Sequence, residues 1–185
     1  MKEERLLKVG VLGAGPIAQA AHFESCLKAR NAELYAICDV AEDLLGRMAA
    51  SFRPRRTFTD YAAMLADPDL EAVIVATSDA FHVEASVAAL EAGKHVLCEK
   101  PMAVSVESAE KLREAVARSG RVFNVGHMKR YDGGIAAARD FIVREMGELL
   151  ALKAWYCDST HRYTMTDAVQ PLMVKSALAR RPRTT

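Results

Sequence analysis

Three small residues in the stretch GAGPIA, residues 13–18, have the spacing of a loop that binds phosphate groups. The stretch directly follows the apolar run Val9–Leu12 and directly precedes residues that favour a helix. Gly13 permits a tight turn, and Gly15 has no side chain to keep a pyrophosphate from the backbone. Ala18 is small enough for the helix to pack closely on the strand. This order of strand, loop and helix predicts a dinucleotide-binding site.

The two residues between Gly15 and Ala18 would open the helix. Pro16 suits the first helical turn, where its missing N–H costs nothing, and Ile17 follows it in the same turn. The N–H groups at that end would point at the phosphates, and the helix dipole favours their negative charge. We therefore include Pro16 and Ile17 among the expected cofactor-binding residues.

An acidic residue accompanies the glycine loop at a distance typical of nucleotide sites. Asp39 ends the second apolar run, 24 residues after Gly15, where a carboxylate accepts hydrogen bonds from the adenosine ribose hydroxyls. A carboxylate there repels a 2′-phosphate, which favours NAD, while the arginines at 53, 55 and 56 leave NADP open. In the alternative interpretation, the glycines only form a turn and Asp39 only caps the helix that begins near Ala41.

A second candidate site follows the strand pattern of residues 95–98. There Glu99 and Lys100 end the strand and Pro101 comes next. Ligands of parallel sheets bind at the carboxyl edge, so Lys100 is expected near the nicotinamide end of a bound cofactor. A lysine there can donate a hydrogen bond to a substrate hydroxyl and move a proton as hydride leaves the carbon. The alternative is a solvated Glu-Lys pair at a strand end.

Short apolar runs alternate with helical patterns over residues 6–126, which predicts an α/β fold with a doubly wound parallel sheet. The expected strands are Val9–Leu12, Ala32–Cys38, Arg56–Phe58, Ala72–Ala76, His95–Cys98 and Val122–Val125. The expected helices are Pro16–Ala29, Val40–Phe52, Tyr61–Leu65, Ala80–Ala92 and one that Ser105 caps and that runs to Ser119.

The pattern changes after residue 126. We predict a helix at Tyr131–Met146 that Gly147 ends, and then a long strand at Glu148–Cys157. Residues 127–185 would begin a second, incomplete α/β domain. A long strand with unpaired edges, carrying Trp155 and Tyr156, invites association with another chain, so we expect a homodimer or a higher oligomer.

Composition excludes several classes of partner. The chain has 185 residues, 51% of them hydrophobic, and a formal net charge of +1. This balance gives no reason to expect a nucleic-acid or membrane surface. Four cysteines stand far apart without a CxxC spacing, so we expect no metal, no disulfide framework and a cytoplasmic location.

Three motifs in this order resemble the Gfo/Idh/MocA family, which includes the glucose–fructose oxidoreductase and inositol dehydrogenase types. They are GVLGAGPIAQAAH, AVIVATSDAFHVEASVAALEAGKHVLCEKPMA and VGHMKRYD, and the likeness extends over about residues 6–157. The resemblance implies a Rossmann domain that binds NAD(P) and an oxidoreductase acting on a sugar, cyclitol or related polyol.

The resemblance also assigns roles to particular residues. It implies that Glu99 and Lys100 hold the nicotinamide ribose, that Lys100 is the catalytic lysine, and that Thr77 and His82 lie against the cofactor. Ser78 and Asp79 depart from the Pro-Asn that the family usually has after that threonine. The Lys100–Pro101 peptide is expected to be cis, as it often is in such proteins.

Two further expectations concern the second domain. The resemblance puts His127 and Arg130 at the mouth of the cleft, where Arg130 could pair with substrate or cofactor; a solvated helix end is the alternative. The family's Asp and His one helical turn apart have no counterpart here: Asp158 and His161 come too early, and Pro171 stands where Asp167 would need a histidine.

Three functions remain open on the sequence. The first is an NAD(P)-dependent dehydrogenase of a polyol or sugar-like small molecule, in which Lys100 assists proton transfer. The second is a binding protein of the same fold that senses a dinucleotide or sugar without turnover. The third is a glycosidase that uses bound NAD as a recycled redox cofactor. The fold alone does not decide among them.

Overall fold

The computed structural model describes residues 5–153 and 155, and its centre is one parallel β-sheet. The strands are β1 (Leu7–Leu12), β2 (Ala32–Cys38), β3 (Arg56–Phe58), β4 (Ala72–Val75), β5 (His95–Cys98) and β6 (Phe123–Val125). They lie in the order β3-β2-β1-β4-β5-β6, and every neighbouring pair is parallel. The predicted doubly wound sheet is therefore confirmed. Its strand order reverses between β1 and β4, the point where such sheets open a crevice for ligands.

Helices connect the strands as expected, with shifted ends. They are α1 (Phe23–Lys28), α2 (Glu42–Phe52), α3 (Tyr61–Leu65), α4 (His82–Glu91), α5 (Val106–Ser119) and α6 (Gly133–Glu145). The predicted single helix Pro16–Ala29 contains a π-helical turn at Ala18–His22 before α1. A 3₁₀ turn, Asp79–Phe81, precedes α4. The predicted caps hold: Asp60 accepts two backbone N–H groups at the start of α3, and Ser105 accepts one at the start of α5.

The helix α6 begins later than the predicted Tyr131. A 3₁₀ turn occupies Met128–Tyr131, and Asp132 then accepts the N–H groups of Gly134 and Ile135 through one carboxylate oxygen. An aspartate that accepts such bonds sets the first turn of a helix. The capping side chain therefore decides where α6 starts, which apolar periodicity alone does not reveal.

Both faces of the sheet are buried, which explains the continuous apolar run of β4. On one face, sheet side chains pack with residues of α3, α4 and α5, including Met64, Leu90 and Leu112. On the other face they pack with residues of α1 and α2, including Phe23 and Met48. Strands covered on both sides need apolar side chains at successive positions, because neither face meets water.

Lys94 lies just before β5 and is a charged residue of this interior, with 7% of its surface exposed. Its Nζ donates to the carbonyl oxygens of Asp67, at 2.8 Å, and Leu70, at 2.9 Å. The lysine thereby ties the start of β5 to the turn that leads into β4. The opposite end of β5 carries Glu99 and Lys100.

Replacing Lys94 with methionine should lower the free energy of unfolding by about 2 kcal/mol, because two buried carbonyl oxygens lose their charged donor. Urea unfolding followed by circular dichroism would measure the change. Lys111→Met, at an exposed position of α5, is the matched control and should change stability by less than about 0.5 kcal/mol. Equal effects of the two substitutions would contradict the anchoring role of Lys94.

The predicted strand Glu148–Cys157 is wrong over the residues that the structure describes. Residues 148–153 and 155 have no strand conformation, and the rest of that segment lies outside the description. A strand needs a neighbour that completes its backbone hydrogen bonds. Periodicity reports the polarity of side chains and not the presence of that neighbour. Asp158, His161, Asp167 and Pro171 also fall outside the described residues.

By their internal contacts, the described residues divide after Gly126 into two units. The first contains the sheet and α1 to α5. The second contains the 3₁₀ turn and α6, and no residue of α6 is buried. Across the described part of the chain, no helix has both the length and the apolar character that a membrane span requires.

Candidate functional site

The glycine loop joins the carboxyl ends of β1 and β4. Gly13 has φ +96°, and a Cβ placed on it would stand 2.6 Å from the carbonyl oxygen of Ala76, just after β4. Its N–H donates to the carbonyl of Cys38, at 2.8 Å, at the end of β2. Both the backbone angle and the close approach demand glycine. Gly13 thus holds three strand ends together at the point where the strand order reverses.

Gly15 differs from Gly13, because a Cβ built on it would meet no atom within 4 Å. The absence of a side chain at Gly15 is therefore not a demand of packing within the first unit. It leaves the backbone accessible from outside, as the approach of a pyrophosphate requires. Pro16 and Ile17 are exposed beside it, and Ala18 is buried against the sheet, as the spacing predicted. The loop fits a dinucleotide phosphate.

Asp39 lies at the end of β2 and bonds to the glycine loop itself. One carboxylate oxygen accepts the N–H of Ala14 at 2.8 Å, and the other accepts the N–H of Ala41 at 2.9 Å. Asp39 therefore stabilises the turn before α2 but does not cap the helix itself, whose N-cap residue, Ala41, has no side-chain cap bond, so the alternative of a helix cap is not what the structure shows. Each carboxylate oxygen has two lone pairs, so the same side chain can also accept ribose hydroxyls. The bonds to the backbone and a cofactor role are compatible.

Two of the three arginines that left NADP open form ion pairs with acidic side chains. Arg55 forms an ion pair with Glu33, and Arg56 Nε lies 3.4 Å from an oxygen of Asp67. Arg53 ends α2 in the left-handed region, at φ 49°. Ion pairs engage two of the three guanidinium groups, but both arginines are exposed and such pairs are weak, so the expected preference for NAD rests on Asp39.

Lys100 follows β5 at the same carboxyl edge, and its peptide bond to Pro101 is cis, as expected. Its side chain is exposed. Among residues 5–153 and 155, no ion pair or side-chain hydrogen bond engages its ammonium group. A lysine with free donors at this edge can bind a hydroxyl or a carboxylate and can exchange a proton.

Glu99 has a partner that the sequence analysis missed. Its Oε1 lies 2.9 Å from Nε2 of His22, and both side chains are largely buried. Its Oε2 accepts the backbone N–H of Lys100 at 3.1 Å. The two partners are 77 positions apart, so no local pattern reveals the pair. The motif GVLGAGPIAQAAH, which ends in His22, was the feature of the sequence that pointed to this histidine.

His82 opens α4 and is almost fully buried, with 1% of its surface exposed. Its Nδ1 lies 2.7 Å from the carbonyl oxygen of Pro101, and its Nε2 lies 3.1 Å from the carbonyl oxygen of Thr77. Thr77 is half-buried in the loop after β4. Two loops of the carboxyl edge are therefore linked through one imidazole ring.

The buried thiols near this edge are poor nucleophiles. Burial raises the pKa of Cys38 to about 12, and the charges of Asp39 and Asp60 act in the same direction. Burial also raises the pKa of Cys98, next to Glu99. Because the thiolate is the reactive form, both thiols stay protonated at neutral pH and pack as apolar groups. Cysteine chemistry does not compete with Lys100 for a catalytic role.

The other predicted residues belong to the second unit. His127 and Arg130 are exposed, and the N–H of Arg130 donates to the carbonyl of His127 at 2.9 Å in the 3₁₀ turn. Over residues 5–153 and 155, no group of three or more His, Cys, Asp and Glu side chains is arranged to hold a metal ion.

The remaining predicted residues all lie in the first unit, at the carboxyl edge of its sheet. This group, which we call the edge cluster, comprises Gly13, Gly15, Pro16, Ile17, Asp39, Thr77, His82, Glu99 and Lys100. The segments that follow β1, β2, β4 and β5 carry these residues, with His82 at the start of α4, which explains why positions far apart in sequence meet. The edge cluster can bind an extended anionic ligand at one end and place a lysine at the other.

Known proteins are similar to this chain in sequence and in architecture. The family model described as "Oxidoreductase family, NAD-binding Rossmann fold" matches residues 7–127. The inositol 2-dehydrogenase/D-chiro-inositol 3-dehydrogenase of Shouchella clausii is 31% identical over 173 residues, which are 91% of this chain and 50% of that protein. The chain spans about half the length of the curated relatives it matches.

Solved structures give the same result. Scyllo-inositol dehydrogenase from Lactobacillus casei, with bound NAD(H) and scyllo-inositol, has a TM-score of 0.71 and 27% identity over 75% of this chain and 41% of that one. A 3-ketoreductase from Actinomadura kijaniata, in complex with TDP-benzene and NADP, has a TM-score of 0.70 and 27% identity over 75% of this chain and 42% of that one. With the family model covering most of the sheet-forming residues, this chain belongs to the Gfo/Idh/MocA oxidoreductases with an NAD-binding Rossmann fold.

Proposed function

We propose that this chain supplies the nicotinamide-binding part of a polyol dehydrogenase, which transfers hydride between NAD and a hydroxyl carbon of an inositol-like cyclitol or a related sugar. Several curated relatives are inositol dehydrogenases, and one solved relative holds NAD(H) together with scyllo-inositol. We further propose that the edge cluster binds the cofactor, with NAD preferred to NADP. Within it, the buried His82 would act by holding the loops of Thr77 and Pro101 and not by direct contact. His127 and Arg130 would contribute to the substrate side.

The single observation that carries this proposal is the arrangement of Asp39, Gly15 and Lys100 along one sheet edge. Gly15 leaves the backbone open, and Asp39 presents carboxylate oxygens beside the same loop. Lys100 follows β5, two strands from β1, with its ammonium group free of ion pairs among the described residues. A phosphate site after β1 and a proton-transfer group after β5, two strands apart on one edge, suit an extended dinucleotide.

The chemistry divides between the cofactor and the chain. A bound nicotinamide would supply the acceptor or donor of hydride. Neutral Lys100 would accept the hydroxyl proton as hydride leaves the carbon, and in the reverse direction its ammonium group would return a proton to the carbonyl oxygen. Asp39 would orient the adenosine ribose, and the glycine loop would hold the pyrophosphate. Glu99 would keep the Lys100 backbone in place through the hydrogen bond it accepts.

Titration of the 185-residue chain with NADH, followed by calorimetry, tests the cofactor part of the proposal. Binding in the micromolar range with a weaker response to NADPH is expected. The substrate part is tested on the full-length product of the gene, by following NAD reduction with a panel of inositols and sugars. Cleavage of an aryl glycoside without net NADH production would instead favour the glycosidase. Saturable NADH binding without turnover of any compound would favour the sensor.

Replacing Asp39 with alanine should weaken NADH binding about 5–10-fold, which is the value of one or two hydrogen bonds. The preference for NADH over NADPH should shrink as well, because the carboxylate no longer repels a 2′-phosphate. Calorimetric titrations with both nucleotides would measure these changes.

Asp60→Ala is the control for that substitution. Like Asp39, Asp60 accepts two backbone N–H groups and carries a negative charge, but its bonds cap α3 after the outermost strand, β3. Its loss should lower stability by about 1 kcal/mol and leave NADH affinity within about twofold. An unchanged NADH affinity in Asp39→Ala would contradict the ribose-binding role.

We also propose a homo-oligomer and a cytoplasmic location. Large apolar side chains of the second unit, Phe141, Val143, Leu150 and Trp155, are each more than half exposed, which supports cover by another chain or by further residues of the protein. The buried cysteines Cys26, Cys38 and Cys98 are unpaired thiols, as a reducing compartment favours. Light scattering that gave a stable monomer for the full-length product would count against the oligomer.

A further inference from the structure

Two histidines flank Lys100 without touching its side chain. His22 lies in the π-helical turn after the glycine loop, and its Nε2 faces Glu99, the residue before Lys100, at 2.9 Å. His82 opens α4, and its Nδ1 faces the carbonyl oxygen of Pro101, the residue after Lys100, at 2.7 Å. Each neighbour of Lys100 is therefore bonded to a buried imidazole.

The His22 contact holds Glu99 in one orientation. The other carboxylate oxygen of Glu99 accepts the N–H of Lys100 at 3.1 Å, so the side chain bridges an imidazole and the lysine backbone. Gly126 gives Glu99 its room, since a Cβ there would stand 3.3 Å from Oε1. A carboxylate held by two partners and by close packing has little freedom to rotate. His22 therefore influences the orientation of the Lys100 backbone through Glu99.

The His82 contacts hold the other side. Its Nε2 lies 3.1 Å from the carbonyl oxygen of Thr77, so the ring joins the loop after β4 to the loop after β5. Carbonyl oxygens only accept, and a neutral imidazole has one N–H, so it serves one of these oxygens at a time, whereas the imidazolium serves both. With both ring nitrogens facing backbone and 1% of the residue exposed, His82 acts through the two loops.

We propose that His22 and His82 are positioning residues that set the backbone of Lys100 from its two sides, and that they connect the lysine to the glycine loop and to the Thr77 loop. This inference rests on the proposed function, in which Lys100 meets the substrate hydroxyl. Both histidines would hold the Lys100 backbone at a fixed position relative to the cofactor-binding loops.

The direct test reads the backbone at the two contacts. In protein labelled with 15N-lysine and 15N-methionine, the Lys100 amide reports the bond to Glu99. The Met102 amide shares its peptide bond with the Pro101 carbonyl and reports the bond to His82. Lys100→Arg and Met102→Leu assign the two signals. The measurement needs no cofactor and is made on the 185-residue chain.

Substitution of His22 should affect the Lys100 signal. His22→Leu removes the imidazole donor, so the Lys100 amide should shift and exchange with solvent about tenfold faster, the value of roughly one hydrogen bond. His22→Gln can place an amide N–H near the position of Nε2 and should restore the signal and the exchange rate to within about threefold. A role in packing alone would not distinguish glutamine from leucine in this way.

Substitution of His82 should separate its two contacts. Asparagine places its amide near the position of Nδ1, and glutamine places its amide near the position of Nε2. His82→Asn should therefore keep the Met102 signal near that of the unsubstituted chain, whereas His82→Gln should shift it. The control is His95→Asn at the opposite end of β5, where the ring Nδ1 accepts the N–H of Val122 at 3.0 Å. It should leave both signals unchanged.

Kinetics of the full-length product add a second measurement. His22→Leu and His82→Gln should lower kcat about tenfold with less than a threefold change in KM for NAD, because the lysine is displaced while the cofactor loops remain. His22→Gln should recover most of the loss. Lys100 and Met102 signals that stay unchanged in folded His22→Leu and His82→Gln proteins would overturn the inference.

If the apolar variant does not fold, the comparison of the glutamine and asparagine variants decides alone. Identical Met102 signals in His82→Asn and His82→Gln would then overturn the His82 part of the inference. A Lys100 amide in His22→Gln that exchanges with solvent as fast as the amide of an exposed lysine would overturn the His22 part. NADH titration of the unsubstituted chain is independent of these signals. Failure to bind NADH would contradict the proposed function, whereas the Lys100 and Met102 amide signals would still test the positioning role.

Discussion

Replacing Gly13 with alanine should abolish measurable NADH binding and lower the free energy of unfolding by about 3 kcal/mol. The residue has φ +96°, a region that L-residues with a side chain rarely adopt. The added Cβ would stand 2.6 Å from the carbonyl oxygen of Ala76, which is backbone and cannot turn aside. Relief requires moving the ends of β1 and β4 apart, and that deforms the loop that would hold the pyrophosphate.

Urea unfolding and calorimetric titration with NADH would measure the two losses. Gly15→Ala is the matched comparison, because its Cβ would meet no atom within 4 Å. That variant should keep the stability of the unsubstituted chain within about 0.5 kcal/mol and still lose NADH affinity about tenfold or more, since the methyl group occupies the approach to the backbone.

A third glycine, outside the glycine loop, serves as a control for the general effect of replacing glycine with alanine. Gly46, in α2, also has open space around a built Cβ, and Gly46→Ala should raise stability by about 0.5–1 kcal/mol without changing NADH affinity. Tight NADH binding by a folded Gly13→Ala protein would contradict the assignment of this loop to the cofactor.

Replacing Lys100 with methionine should lower kcat of the full-length product about 10³-fold, within the range that a positioned general acid or base contributes. Methionine keeps the length of the side chain and removes the ammonium group. Affinity for NADH in the 185-residue chain should fall by less than about fivefold, because the glycine loop and Asp39 remain. A large loss of kcat with a small loss of binding would assign Lys100 to the chemical step.

Arginine at the same position distinguishes charge from proton transfer. Lys100→Arg keeps the positive charge and the donors but does not release a proton near neutral pH. If Lys100 only stabilises charge, this variant should recover most of the activity; if it moves the hydroxyl proton, as we propose, kcat should stay at least about 10²-fold low.

Lys111→Met, the exposed lysine of α5, is the control for both substitutions at Lys100 and should leave kcat unchanged. A Lys100→Met enzyme that keeps more than a tenth of the original kcat would argue against any catalytic role of this residue. The Met102 amide signal described above would show separately whether the loop keeps its shape in the Lys100→Met protein.

Much of this protein can be derived from its sequence, because the signals are local. Gly13 and Gly15 stand between a strand and a helix, and the fully apolar run at β4 is what burial on both faces requires. Ser105 and Asp60 cap the helices that follow them because a cap depends on neighbours two or three residues away. The cis peptide between Lys100 and Pro101 was expected from the family resemblance of the Glu-Lys-Pro motif.

The predictions that were wrong or incomplete concern contacts between distant segments. The strand at Glu148–Cys157 had a suitable polarity pattern, but over its described residues no neighbouring strand completes the hydrogen bonds. The start of α6 moved to Gly133 because Asp132 takes the capping role, a choice made by geometry rather than by apolar spacing.

The sequence by itself determined the Rossmann topology, the family and the residues that stand at the strand ends. Only the tertiary structure decided how those residues are held: Asp39 on the Ala14 amide, Glu99 between His22 and the Lys100 backbone, and His82 between two loops. The reason is physical. Loop and helix signals act over a few residues of chain, whereas a contact between residues 77 positions apart exists only once the sheet has brought the loops of neighbouring strands to one edge.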